Sequence, residues 1–73
     1  MSSEILNKFA NRLRTLREER GLSQESFAFL CNIDRTYIGR IERCERKPTI
    51  EILYKIAKGL NMKLNELLDF DDL

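Results

Sequence analysis

Histidine is absent from this 73-residue chain, and cysteine occurs only at Cys31 and Cys44, 13 positions apart and outside any CxxC pairing. A zinc site takes about four nitrogen, sulfur or oxygen ligands. The common metal centres are therefore excluded, and both thiols read as structural or incidental, Cys31 as a small hydrophobe at a helix end. No phosphate-cradling loop and no activated-nucleophile motif occurs either. The chain thus reads as a non-enzyme that takes no cofactor and no small-molecule ligand. No apolar run approaches the roughly 20 residues of a membrane span. The opening MSSEILNKF has neither the basic start nor the apolar stretch of a secretory signal. The expected location is the cytoplasm, where a disulfide would be unusual.

What the chain does have is a hydrophobic fraction of 42% and a charged fraction of 34%, the balance of a soluble globular domain. Its length allows a single domain over residues 1–73, burying roughly 60% of the surface that the unfolded chain exposes. Such a small core gains from a second subunit. Net charge is only +1, but it is unevenly placed: residues 1–48 hold ten Lys/Arg against seven Asp/Glu, for +3, and residues 49–73 hold three against five, for −2. The acidic end, Asp69-Phe70-Asp71-Asp72-Leu73, would be repelled by a polyanion, whereas the basic part would attract one.

Apolar periodicity predicts five helices. A first, over residues 4–20, carries Ile5, Leu6, Phe9, Leu13 and Leu16 as one stripe, with Ser2 or Ser3 as its cap and Arg12, Arg14 and Arg20 on a solvated face. Gly21 ends it and Leu22 packs back on its last turn. Ser23 caps a second helix over 24–31, whose inward side is Phe27, Ala28 and Leu30. Asn32 takes a left-handed turn, Asp34 caps a third helix over 35–43, and Ile33, Ile38 and Ile41 face inward. Two short helices with this turn have the spacing of a helix-turn-helix. Arg35, Thr36, Tyr37, Arg40 and Arg43 remain on the outer side of the second of them, a surface suited to phosphates and base edges. Gly39 lies inside that helix at a cost of roughly 1 kcal/mol, which implies a close approach there. Pro48-Thr49 opens a fourth helix with Ile50, Ile52, Leu53, Ile56, Ala57 and Leu60 inward; Gly59 weakens its last turn and Asn61 ends it. A fifth spans residues 63–69. Five helices cannot bury every apolar side chain here, and Ile50, Tyr54, Leu67, Phe70 and Leu73 are expected to form an exposed patch.

The run LSQESFAFLCNIDRTYIGRIERCERKPTIEILYKIAKGL resembles the phage-repressor-like (Xre/Cro-type) helix-turn-helix regulators over nearly the whole chain, with LSQE opening the motif and DRTYIGRIER as its recognition helix. The small size and that wording are similar, more narrowly, to the controller proteins of restriction-modification systems. The resemblance implies an all-α, five-helix DNA-binding domain that regulates transcription as a homodimer on a double-stranded, pseudo-palindromic operator. RNA polymerase is a further expected partner. Base edges would be read by Arg35, Thr36, Tyr37 and Arg40. Phosphates would be met by Gln24, at the positive end of the second helix, and by Arg43, Arg46 and Lys47. The resemblance also implies an ion pair between Arg17 and Glu42, and a dimer contact through the exposed patch. The family usually has glycine where this chain has Cys44, so the third helix is expected to run on or end differently, because a left-handed cysteine would be strained. Two other functions fit the same residues: an antitoxin that holds a toxin through its acidic end, and an adaptor that uses the motif for protein contacts alone.

Overall fold

The computed structural model describes residues 3–70, and among them it contains five α-helices and no strand. They are α1 (Glu4–Glu19), α2 (Gln24–Cys31), α3 (Arg35–Glu42), α4 (Ile50–Gly59) and α5 (Leu64–Leu67). The caps follow the sequence closely. Ser23 Oγ accepts from the Ser26 amide at 3.0 Å, Asp34 Oδ1 from the Thr36 amide at 2.7 Å and Thr49 Oγ1 from the Ile52 amide at 3.1 Å. Each satisfies an amide that the helix itself leaves without an acceptor. Ser3 stands at the start of α1 but its side chain caps nothing, and Ser2 lies outside the described residues.

The turns also follow. Gly21 has φ 67° and Asn32 φ 57°. Behind Gly21 the Leu22 amide donates to the Arg17 carbonyl at 3.1 Å, closing α1 with a left-handed C-terminal motif. Cys44 corrects the expectation made for it. It does adopt the left-handed region, at φ 62°, and α3 ends at Glu42 with the Glu45 amide donating to the Arg40 carbonyl at 2.8 Å. Its thiol donates to Asn7 Oδ1 at 3.0 Å, a contact that glycine could not make.

Phe27, Leu13, Ile38, Ile41, Ile56 and Leu67 are the largest fully buried side chains, and they join all five helices in one core. Several apolar residues depart from their expected places, among them Ile50, one of the side chains expected inward on the fourth helix, which is exposed. Leu30 points outward beside Phe29, and Cys31 takes the inward position with Phe27 and Ala28, an i, i+1, i+4 set on one helix face. Ile5 is exposed at the free end of α1. Leu67, expected in an exposed dimer patch, is fully buried. With Leu64 it attaches the single turn of α5 to the core, so it is withdrawn from any surface. Phe70 is half-buried, its ring 6.0 Å from that of Phe9, and Leu73 lies outside the described residues. Ile50 and Tyr54 remain exposed, at 64% and 57%.

Arg14 and Arg20 are exposed, as expected, and Arg12 is half-buried, but each of the three also reaches a carbonyl of another element. Arg12 donates to the Glu66 and Leu67 carbonyls at 2.8 and 3.4 Å, Arg14 to the Glu42 carbonyl at 3.1 Å and Arg20 to the Leu60 carbonyl at 3.5 Å. These carbonyls lie at the C-terminal ends of α5, α3 and α4, where the negative end of the helix dipole favours a cation. α1 and its C-cap residue Arg20 thus supply donors to the ends of three other helices. Gly59 is likewise more than a weak point: a Cβ there would lie 2.5 Å from Cys31 Sγ and 3.0 Å from Cys31 Cα, so glycine is what lets α4 cross α2.

Candidate nucleic-acid interface

The site is built on α3, whose apolar Ile38 and Ile41 anchor it to the core and so direct the opposite side of the helix outward. Arg35, Thr36 and Arg40 are exposed on that outer side, and none is drawn into the core. Tyr37 is half-buried, with its ring packed against the core, and the guanidinium of Arg46 sits 5.4 Å from the ring centroid. That distance is within the range of a cation–π contact, which attaches the loop after α3 to the helix. Asp34, Thr36, Tyr37, Arg40 and Arg46 line one shallow depression of about 220 Å³. Arg43 and Lys47 are also exposed, but Arg43 is not free: its Nε and Nη2 donate to Glu45 at 3.0 and 3.2 Å. This hydrogen bond, with the opposite charge, holds the Glu45 carboxyl below its usual range and raises Arg43.

Behind this surface lies a buried network. Glu42 is 4% exposed, and its carboxylate accepts from Arg17 Nε at 2.7 Å, from Arg17 Nη2 at 3.0 Å and from Gln24 Nε2 at 3.0 Å, with Arg14 Nε 3.6 Å away. Burial by itself pushes this carboxyl up, but the hydrogen bonds from Arg17 and Gln24 and the charges of Arg17 and Arg14 outweigh it, and the net direction is down. Arg17 is raised by the same bond. The structure thereby brings Arg17 and Glu42 together, tying α1 to α3. It also turns the Gln24 amide group toward Glu42 rather than leaving it free at the start of α2. At Gly39, beside this network, a Cβ would stand 3.1 Å from Arg43 Nη1 and 3.5 Å from Gln24 Oε1. The tight contact at that glycine is with the side chain of Arg43, and the α2 side chain of Gln24 stands at ordinary van der Waals distance.

Four partnerships were not legible beforehand: Gln24 with Glu42, Arg43 with Glu45, Arg46 with Tyr37, and Cys44 with Asn7. The two-residue spacing of Arg43 and Glu45 was visible, but only the left-handed Cys44 between them folds one side chain back on the other. Among the described residues no group of three or more Cys, Asp or Glu could hold a metal ion, and no helix is long and apolar enough to cross a membrane.

A structured turn between two short helices, with a basic outer face on the second, defines a class, and comparison places the chain within it. The helix-turn-helix family matches residues 13–67, and the chain belongs to that family. Among its relatives is the control protein C.MunI of Mycoplasma sp, 44% identical over 66 residues that cover 89% of each chain. The restriction-modification controller protein C.AhdI from Aeromonas hydrophila shares the fold at a TM-score of 0.81, with 45% identity over 85% of this chain and 94% of that one. C.Esp1396I, another such controller, superposes at a TM-score of 0.83 with 40% identity over 92% of each chain, in a structure that holds it as a tetramer on its natural 35-base-pair operator. The narrower likeness to restriction-modification controllers seen in the sequence therefore holds.

Proposed function

We propose that this chain is a sequence-specific regulator of transcription that binds a duplex operator as a homodimer, in the manner of a restriction-modification controller. The observation that carries this is the exposed basic side of α3 and the loop behind it. Arg35, Thr36 and Arg40 face outward on a helix that the core holds rigidly, and Tyr37 and Arg46 flank them. Set in the major groove, Arg35 or Arg40 can bridge guanine O6 and N7, and the Thr36 methyl or the Tyr37 ring can meet a thymine methyl. Lys47, Arg46 and Arg43 would lie along the phosphates; with the Gln24 side chain held by Glu42, it is the backbone N–H groups at the start of α2 that would meet a phosphate on the other side. Of the patch expected from the sequence, Ile50 and Tyr54 on α4 are exposed and would make the dimer contact. A cytoplasmic regulator seated at a promoter also meets RNA polymerase, by contact or by exclusion.

Selection of bound duplexes from a random pool tests the proposal and reads the operator at once. The expected result is an enriched inverted repeat, with half-sites about one helical turn apart. A pool that shows no enrichment after binding at low salt would count decisively against it.

A further inference from the structure

The pair between Arg43 and Glu45 does little for the fold. Both side chains are about half exposed, at 55% and 52%, and an ion pair in water adds little to stability. It nevertheless sits where the proposed operator contact is made, directly after the last turn of α3, between Arg40 and the basic Arg46-Lys47. In the free protein Arg43 already has a two-pronged carboxylate partner at 3.0 and 3.2 Å. A phosphate offers the guanidinium the same kind of two-pronged acceptor. Seating Arg43 on DNA therefore exchanges one anion for another, and it leaves the Glu45 carboxylate facing the phosphate backbone within a Debye length. The gain from Arg43 is cut twice, by the bond given up and by the repulsion left behind.

The backbone makes this competition a built-in feature. The left-handed Cys44 and the bond from the Glu45 amide to the Arg40 carbonyl, 2.8 Å, fold the chain back so that residue 45 returns beside residue 43. The other acidic group near the face, Asp34, is occupied in capping Thr36. Glu45 is the carboxylate there whose partner is one of the cations expected to hold phosphate.

We propose that Glu45 is an intramolecular competitor for the phosphate contact of Arg43, lowering sequence-independent affinity so that binding depends on base contacts from α3. The inference rests on the DNA-binding function proposed above. Affinity for a random-sequence duplex is measured across a salt series for the wild type, Glu45→Gln, Arg43→Ala and the double variant. Glu45→Gln is expected to bind the random duplex about threefold or more tightly per chain at low salt, with a salt slope steeper by about one ion. In the Arg43→Ala background the same change is expected to gain much less. An equal gain in both backgrounds would mean that Glu45 acts only as a negative charge near DNA, and no gain would mean that Arg43 is not held back; either overturns the inference while leaving the DNA-binding proposal standing. A wild type that binds no duplex at all would remove both.

Discussion

A carboxylate that is 4% exposed has lost nearly all its water, and Glu42 stays charged only because Arg17 and Gln24 replace it. Removing the carboxylate leaves the Arg17 guanidinium, whose side chain is 12% exposed, without its main partner. Glu42→Ala is therefore expected to cost about 3–5 kcal/mol in urea denaturation, much of what a domain of this size has. The pH dependence follows from the direction of the shift. A carboxyl whose folded pKa is depressed stabilises the fold above its unfolded value, about 4.3, and that contribution is lost as the pH falls below it toward the folded value. Urea midpoints measured from pH 7 to pH 3 should show the gap between wild type and Glu42→Gln narrowing in acid. A gap that stays constant would mean that the carboxyl is not shifted. On the outer face, Arg35→Ala or Arg40→Ala is expected to cost about 1–3 kcal/mol on the selected operator and relax preference at one position. Lys47→Ala should weaken selected and random duplexes alike, as competition titrations against both would reveal.

At the scale of elements, the position of each helix is decided by what fits between it and its neighbour. Alanine at Gly59 would raise helix propensity by about 1 kcal/mol, yet its Cβ would meet both the sulfur and the Cα of Cys31. The backbone contact cannot be relieved by a side-chain rotation. Gly59→Ala is accordingly expected to lower stability by about 1–3 kcal/mol, visible as a lower melting temperature, and Cys31→Ala should rescue it only in part. A rise in melting temperature would mean that α4 does not cross α2 so closely. The same logic decides where the exposed and half-buried arginines of α1 and its C-cap reach. Arg12, Arg14 and Arg20 point where they do because α3, α4 and α5 end against α1, and a helical wheel of α1 shows only that they lie off its apolar stripe.

The whole molecule has to address enough base pairs to single out a site, and one recognition helix reads only a few. Two copies about a dyad place their α3 helices in successive major grooves, roughly 34 Å apart. Sedimentation at micromolar concentration is expected to give about twice the 8.7 kDa of the chain. Ile50→Asp is the useful test, because Ile50 is exposed and begins α4, where an acidic residue favours the helix dipole. It should shift the mass toward the monomer while the circular dichroism spectrum stays unchanged. Leu67→Asp cannot serve, since it would put a charge in the core and unfold the chain. A wild type that stays monomeric both free and on selected DNA would show that the exposed side of α4 does not join two copies.

The five helices, the caps at Ser23, Asp34 and Thr49 and the left-handed turns at Gly21 and Asn32 were legible in the sequence, because each depends on residues within about four positions of one another. The basic outer face of α3 was legible for the same reason: Ile38 and Ile41 determine which way that helix turns, and the remaining positions follow. Tertiary structure alone decided that Leu67 is buried, that Leu30 is not, and that Gly59 is a crossing point, since each depends on an element distant in the chain. It also decided which cations of the face are free. A guanidinium takes whichever anion the fold brings within about 3 Å, and only the folded backbone puts Glu45 beside Arg43 and Glu42 beside Arg17, while leaving Arg35 and Arg40 exposed.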